Sequence, residues 1–172
     1  MDCYRFQKLT FDNGLYDSSV DATYILTMED SKDRHANILK QLQHFNPTHT
    51  VYIVYNKGFL KCNKNLIENK TNFDIIHCYL KVFKHSLIND YSNILILEDD
   101  FKMVPDFRRK MAEITPYIPE DADIFYLGIS PFNYKYCSFK SVNKYVEKCL
   151  GIMDPKIIKK SKSEGGIYGA FG

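Results

Sequence analysis

Apolar residues gather along the chain in short runs that alternate with longer periodic stretches. Residues 22–27 (ATYILT) and 50–55 (TVYIVY) are rich in β-branched and aromatic side chains, which predicts two buried strands. Between them Ile38, Leu39, Leu42 and Phe45 recur at helical spacing. A helix is expected from about Lys32, capped by Asp30 or Ser31 and ended by Asn46-Pro47. Asn56-Lys57-Gly58 is a turn signal, and the polar stretch 61–71 reads as loop. From Asp74, placed as a cap, Ile76, Leu80, Phe83, Leu87 and Ile88 form an apolar stripe that predicts an amphipathic helix to about Asn89. Residues 93–97 (NILIL) are nearly all apolar, as in a central strand covered on both faces. Pro105 then suits a first helical turn, and Phe107, Met111 and Ile114 continue that helix to Pro116. Residues 123–127 (DIFYL) predict another strand, closed by Gly128.

Strands alternating with helices imply an α/β fold with a mainly parallel central sheet flanked by helices. Past Ser130 the pattern weakens into Tyr- and Lys-rich sequence, and no elements are assigned there. The last residues, 165–172 (GGIYGAFG), read as the entry to a further strand. A length of 172 residues suits one domain, here residues 1–172, which the terminal run suggests is the N-terminal part of a longer protein.

Composition narrows the class. The chain is 45% hydrophobic, 15% aromatic and 26% charged, the profile of a soluble globular protein. A net charge of +2 is too slight for a nucleic-acid partner. The first ten residues interrupt their apolar positions with Arg5, Gln7 and Lys8, unlike a secretory signal, and no run is long enough to span a bilayer. Five scattered cysteines without a Cys-x-x-Cys pair read as reduced thiols, and hence as a cytoplasmic protein, in a host cytoplasm if the gene is viral. The Lys-, Asn- and Ile-rich bias is one associated with AT-rich genomes.

Chemistry concentrates at Glu98-Asp99-Asp100, directly after the NILIL run. Two unit charges about 4 Å apart repel by roughly 4 kcal/mol at an effective dielectric near 20. A hard divalent cation would relieve this and bridge to phosphate. Ligands of open α/β sheets also bind beyond the carboxyl ends of strands, where this triplet would lie. The plainer alternative is an acidic turn that caps the next helix or faces solvent.

The segments Tyr24-Ile25-Leu26-Thr27, Asp33-Arg34 and Ile38-Leu39-Lys40-Gln41-Leu42 resemble the opening strand, Arg-containing loop and first helix of glycosyltransferase family 25. That family includes lipooligosaccharide and collagen galactosyltransferases. Ile94-Leu95-Ile96-Leu97-Glu98-Asp99-Asp100-Phe101, with Pro105-Asp106-Phe107 after it, resembles the family's acidic signature, and Asp123-Ile124-Phe125-Tyr126-Leu127-Gly128 its next strand. The likeness spans about residues 22–130, with a further tail match at 166–172. It implies a Rossmann-like glycosyltransferase A fold in which Glu-Asp-Asp is a variant of Asp-x-Asp. Asp100 would then contact manganese or magnesium, with Glu98 as the other metal residue, and Glu98 and Asp99 would hold the metal's waters, the ribose or the donor sugar. His77 lies where the family has a Ser-His pair, but Ile76 replaces the serine.

Further candidates follow. Thr27, Met28 and Glu29 end the first strand, where this fold lines its nucleotide pocket, and Arg34 suits a diphosphate by its planar fork. Tyr55 and Asn56 are placed to touch base or ribose, and Gly128 ends the later strand. Asp99, Asp100, Asp123 and Glu164 are the carboxylates available for catalysis, the last two as acceptor bases. His77 and His85 lack the i, i+4 spacing of a helical zinc pair, and Lys156, Lys159, Lys160 and Lys162 read most simply as a solvated loop. The expected function is metal-dependent, inverting transfer of a hexose from a UDP-sugar to a hydroxyl of a glycan or glycoprotein acceptor. The alternatives are a sugar nucleotidyltransferase, disfavoured by the acidic, glycine-free loop 28–33, and a non-catalytic binding domain of the same fold.

Overall fold

The computed structural model describes residues 2–103, 105–118 and 122–126, together with the strand segments 137–141, 146–152 and 166–170. The chain divides into two compact units, Met1–Met103 and Val104–Gly172.

The first unit holds β1 (Tyr4–Thr10), β2 (Ala22–Met28), α1 (Lys32–His44), β3 (Thr50–Asn56), α2 (Thr71–Ile88) and β4 (Ile94–Glu98). Its four strands run in the order β1-β3-β2-β4. Strands β2, β3 and β4 are mutually parallel, which requires crossovers long enough to hold a helix. β1 joins the β3 edge antiparallel, so the sheet is mixed rather than purely parallel.

Side-chain alternation sorts the core onto the two faces of this sheet. Tyr24, Leu26, Tyr52 and Val54 meet Cys78 and Val82 of α2. Ile25, Val51, Ile53 and Tyr55 meet Ile38 and Leu42 of α1. The helices therefore cover opposite faces, and the order reverses at β2, whose neighbours are β3 on one side and β4 on the other. β2 and β3 are buried almost end to end, which is why unbroken apolar runs marked them.

Residues 4–10, to which the sequence pattern assigned no element, form the edge strand β1. Four expectations need correction. Ile94–Leu97 are only half-buried, because β4 lies at the other edge of this sheet rather than at its centre. The α2 stripe is out of phase: Ile76, Leu80, Phe83, Leu87 and Ile88 are exposed, while Asp74, Cys78, Val82 and Ser86 turn inward. Asp74 is thus a buried residue one turn into a helix that begins at Thr71, not its cap. On α1 the apolar phase is right for Ile38 and Leu42, but Leu39 is half exposed.

The cysteine reading is corrected as well. Pairing of β1 with β3 brings the start of β1 beside the loop that follows β3, and Cys3 forms a disulfide with Cys62, Cα–Cα 5.6 Å. Cys78 is a free, buried thiol whose pKa burial pushes up to about 12, as expected of an inert core cysteine. The thiol-based argument for a reducing compartment therefore lapses.

The second unit contains α3 (Phe107–Ile114), a 3-10 turn (Thr115–Tyr117), β5 (Ala122–Tyr126), β6 (Cys137–Ser141), β7 (Val146–Ile152) and β8 (Gly166–Ala170). Its sheet has the order β5-β8-β7-β6, with β5 parallel to β8 and the other pairs antiparallel. The helix through Phe107, Met111 and Ile114 and the terminal strand match the sequence pattern, but Pro105 precedes α3 instead of opening its first turn, and β6 and β7 had no clear signal. Among the described residues, no helix is long and apolar enough to cross a membrane.

Candidate functional site

At the carboxyl ends of β2, β3 and β4, a cavity of about 110 Å³ is lined by Leu26, Thr27, Met28, Asn56, Ile75, Cys78, Glu98 and Asp99. It sits where the strand order reverses, the usual ligand position in open α/β sheets. Parallel register produces the convergence, since Leu26 pairs with both Val54 and Glu98 and each chain then leaves the sheet at the same end.

The acidic triplet forms a tight turn, closed by the Phe101 N–H donating to the Glu98 carbonyl at 3.1 Å. Its three side chains engage different partners. Asp99 is buried and accepts a hydrogen bond of 2.7 Å from the Thr27 hydroxyl and another from the Arg34 guanidinium. Asp100 is 69% exposed and lies 3.8 Å from Arg34. Glu98 accepts from the Tyr79 hydroxyl at 3.2 Å. Arg34, on the first turn of α1, has its pKa raised by the hydrogen bond to Asp99 and by that carboxylate's charge, so it stays cationic. Part of the expected repulsion is thus relieved without a bound cation: Arg34 and Thr27 compensate the buried carboxylate.

Among the described residues, no three His, Cys, Asp or Glu side chains are grouped as a metal site. A magnesium- or manganese-type ion that keeps several waters needs only one or two protein carboxylates. Glu98 and the exposed Asp100, two residues apart, have the right donor chemistry for that role, while both Asp99 oxygens are occupied.

The remaining candidates separate clearly. Thr27, Met28, Asn56, Glu98 and Asp99 line the cavity, and Arg34 reaches it through Asp99. The Glu29 N–H donates to the Asn56 carbonyl at 2.9 Å, tying the two strand ends together. Tyr55 belongs to the core on the α1 face; its ring lies 3.7 Å beneath the Arg5 guanidinium and its hydroxyl donates to Gln7. His77 shares a 2.8 Å hydrogen bond with the Tyr4 hydroxyl and does not line the cavity. Asp123 is exposed on β5, in the second unit. Gly128, Glu164 and the Lys156–162 group lie outside the described residues.

Sequence reasoning missed a second polar cluster. Lys64 extends its ammonium to both Asp74 and the Asn56 side-chain oxygen, and its side chain is fully enclosed. The available signal was the i, i+4 row Asp74, Cys78, Val82, Ser86, which marks the inward side of α2 more faithfully than the richer apolar stripe did.

No family model matches the chain, and neither the curated proteins nor the solved structures compared with it include a match.

Proposed function

We propose that the first unit binds a nucleotide sugar at the carboxyl ends of its parallel strands and that the protein is a metal-dependent glycosyltransferase of Rossmann-like, glycosyltransferase A type. One observation carries the reading: the Thr27–Asp99–Arg34 hydrogen-bonded chain stands at the topological switch point, beside Glu98 and the exposed Asp100, whose carboxylates have the donor chemistry for a hard cation. The resemblance to family 25 supports a UDP-sugar donor, a glycan or glycoprotein acceptor and inversion.

In this reading Asp99 fixes Arg34, whose remaining guanidinium donors face a diphosphate. Leu26, Met28 and Ile75 supply apolar wall, and Glu98 with Asp100 would hold manganese or magnesium. When bound, that ion would neutralise charge on the departing diphosphate. Titrating UDP with and without manganese into the wild type and Asp100→Ala tests this. Manganese should tighten UDP binding in the wild type and much less in the variant. Indistinguishable binding in all four titrations would remove the metal step.

A second reading, a non-catalytic binding domain of the same fold, draws on one fact: the buried carboxylate is already satisfied by protein groups. Manganese-dependent hydrolysis of a UDP-sugar separates the two, since a transferase slowly passes sugar to water and a binding domain does not.

A further inference from the structure

The loop after β3 is tied down on two sides. Towards β1, the Lys57 N–H donates to the Cys3 carbonyl at 3.2 Å, the Lys57 ammonium donates to the Asp2 carbonyl at 2.9 Å, and Cys62 is crosslinked to Cys3. Towards α2, Lys64 turns inward, with its ammonium 4.8 Å from the Tyr4 ring centroid and bonded to Asp74. Asp74 also accepts from the Asn56 amide at 3.4 Å, and the Asn56 oxygen accepts from Lys64 and, at 2.8 Å, from the Gly58 N–H. Both ends of the Asn56 side chain are thus held by groups that do not themselves line the cavity. Gly58 has φ +74, and a Cβ there would come within 2.8 Å of Met28, so this loop also abuts a second wall of the cavity.

Two charges in a dry interior are expensive to desolvate, and an apolar pair would fill the same space at less cost. What the charged pair supplies, and an apolar pair cannot, is a set of directional hydrogen bonds to Asn56. We infer that Lys64, together with Asp74, is a positioning residue: through Asn56 it fixes the shape of the ligand cavity, and the Cys3–Cys62 crosslink holds the loop that carries it. The consequence for ligand affinity rests on reading this cavity as the nucleotide site, whereas the placement of Asn56 does not.

The test separates position from stability. Lys64→Met alone leaves Asp74 unpaired and should lower both Tm and UDP affinity measured in manganese. Lys64→Met/Asp74→Leu removes both charges, so Tm should recover while UDP binding stays weaker by about tenfold. The Gly58 amide, which donates to Asn56, should exchange faster in the double variant than in the wild type. Lys64→Arg keeps the charge but cannot place one donor between Asn56 and Asp74; it reads the same split if the double variant does not fold. Recovery of UDP affinity and Gly58 protection together with Tm would overturn the inference. If the wild type binds no UDP, the nucleotide reading fails, and Gly58 exchange alone decides whether Lys64 positions Asn56.

Discussion

Two ion pairs of the first unit solve the same electrostatic problem in opposite ways. Lys64 and Asp74 are 0% and 7% exposed, sealed between the sheet, α2 and the crosslinked loop. Arg34 and Asp99 are 52% and 11% exposed, with the carboxylate inside and the guanidinium at the surface. In the sealed pair neither charge can be rehydrated without local unfolding, so the pair acts as a fixed strut. In the open pair water already reaches the cation, and an incoming anion can replace that water without disturbing Asp99. Burial on both sides suits holding a shape, and burial on one side suits presenting a charge.

The contrast breaks most severely at Lys64. Lys64→Met should cost about 3–5 kcal/mol of unfolding free energy, because it strands a buried carboxylate, and chemical denaturation reads this as a lower midpoint. Removing the crosslink by Cys3→Ser frees a loop with a sequence separation of 59 and should cost about 2–4 kcal/mol. Dithiothreitol should lower the Tm of the wild type but not that of this variant. Arg34→Gln belongs to the open pair. It should leave the denaturation midpoint nearly unchanged, as exposed ion pairs contribute little, yet weaken UDP binding roughly tenfold. A large stability loss at Arg34 with no change in UDP affinity would reverse the roles assigned to the two pairs.

Acid should act on the α2 side of the sheet through its two partly buried histidines. Burial holds the His85 and His77 imidazoles below their ordinary pKa, with Lys81 and Lys64 lowering His77 further. His85 stacks on Phe6 with centroids 4.3 Å apart, and its Nδ1 lies 2.9 Å from the Tyr24 hydroxyl. The unfolded chain takes up protons near pH 6.5 while these folded imidazoles resist them, so stability is full above that pH and falls as pH drops through the lowered folded values. Tm should decline between pH 7.5 and 5, and His85→Gln should flatten the decline.

What the sequence made legible follows from how local each signal was. β2 and β3 are buried on both faces, so their runs were unbroken and their bounds came out within a residue or two. β1 has its alternation broken by the adjacent polar residues Gln7 and Lys8 and shows itself only through its pairing with β3. Asp99 meets Arg34 across 65 residues and Lys64 meets Asp74 across 10. Neither contact is encoded in a periodic pattern. The resemblance gave Arg34 a donor-site role but not its contact with Asp99, and no resemblance or periodicity pointed to Lys64. The phase of α2 was misread because its inward row contains Asp74 and Ser86, whose polar groups are satisfied by Lys64 and by the Phe83 carbonyl at 2.9 Å.

That misreading supplies the smallest effect and an internal control on the sealed pair. Leu80 and Val82 are two residues apart on α2, yet Leu80 is 57% exposed and Val82 is 0% exposed. If the inward row is correctly phased, Leu80→Lys changes unfolding free energy by no more than about 0.5 kcal/mol, because a surface leucine exchanges one hydrated environment for another and lysine is a good helix former. Val82→Lys instead introduces an unpaired ammonium two turns from Asp74 on the same face, where Lys64 already occupies the available carboxylate. It should prevent folding or cost several-fold more than Leu80→Lys in a denaturant titration. Equal costs at the two positions would mean that the phase of α2 is wrong. The enclosure of Asp74 would then fail with it, since Asp74, Cys78 and Val82 share one face by their spacing of four.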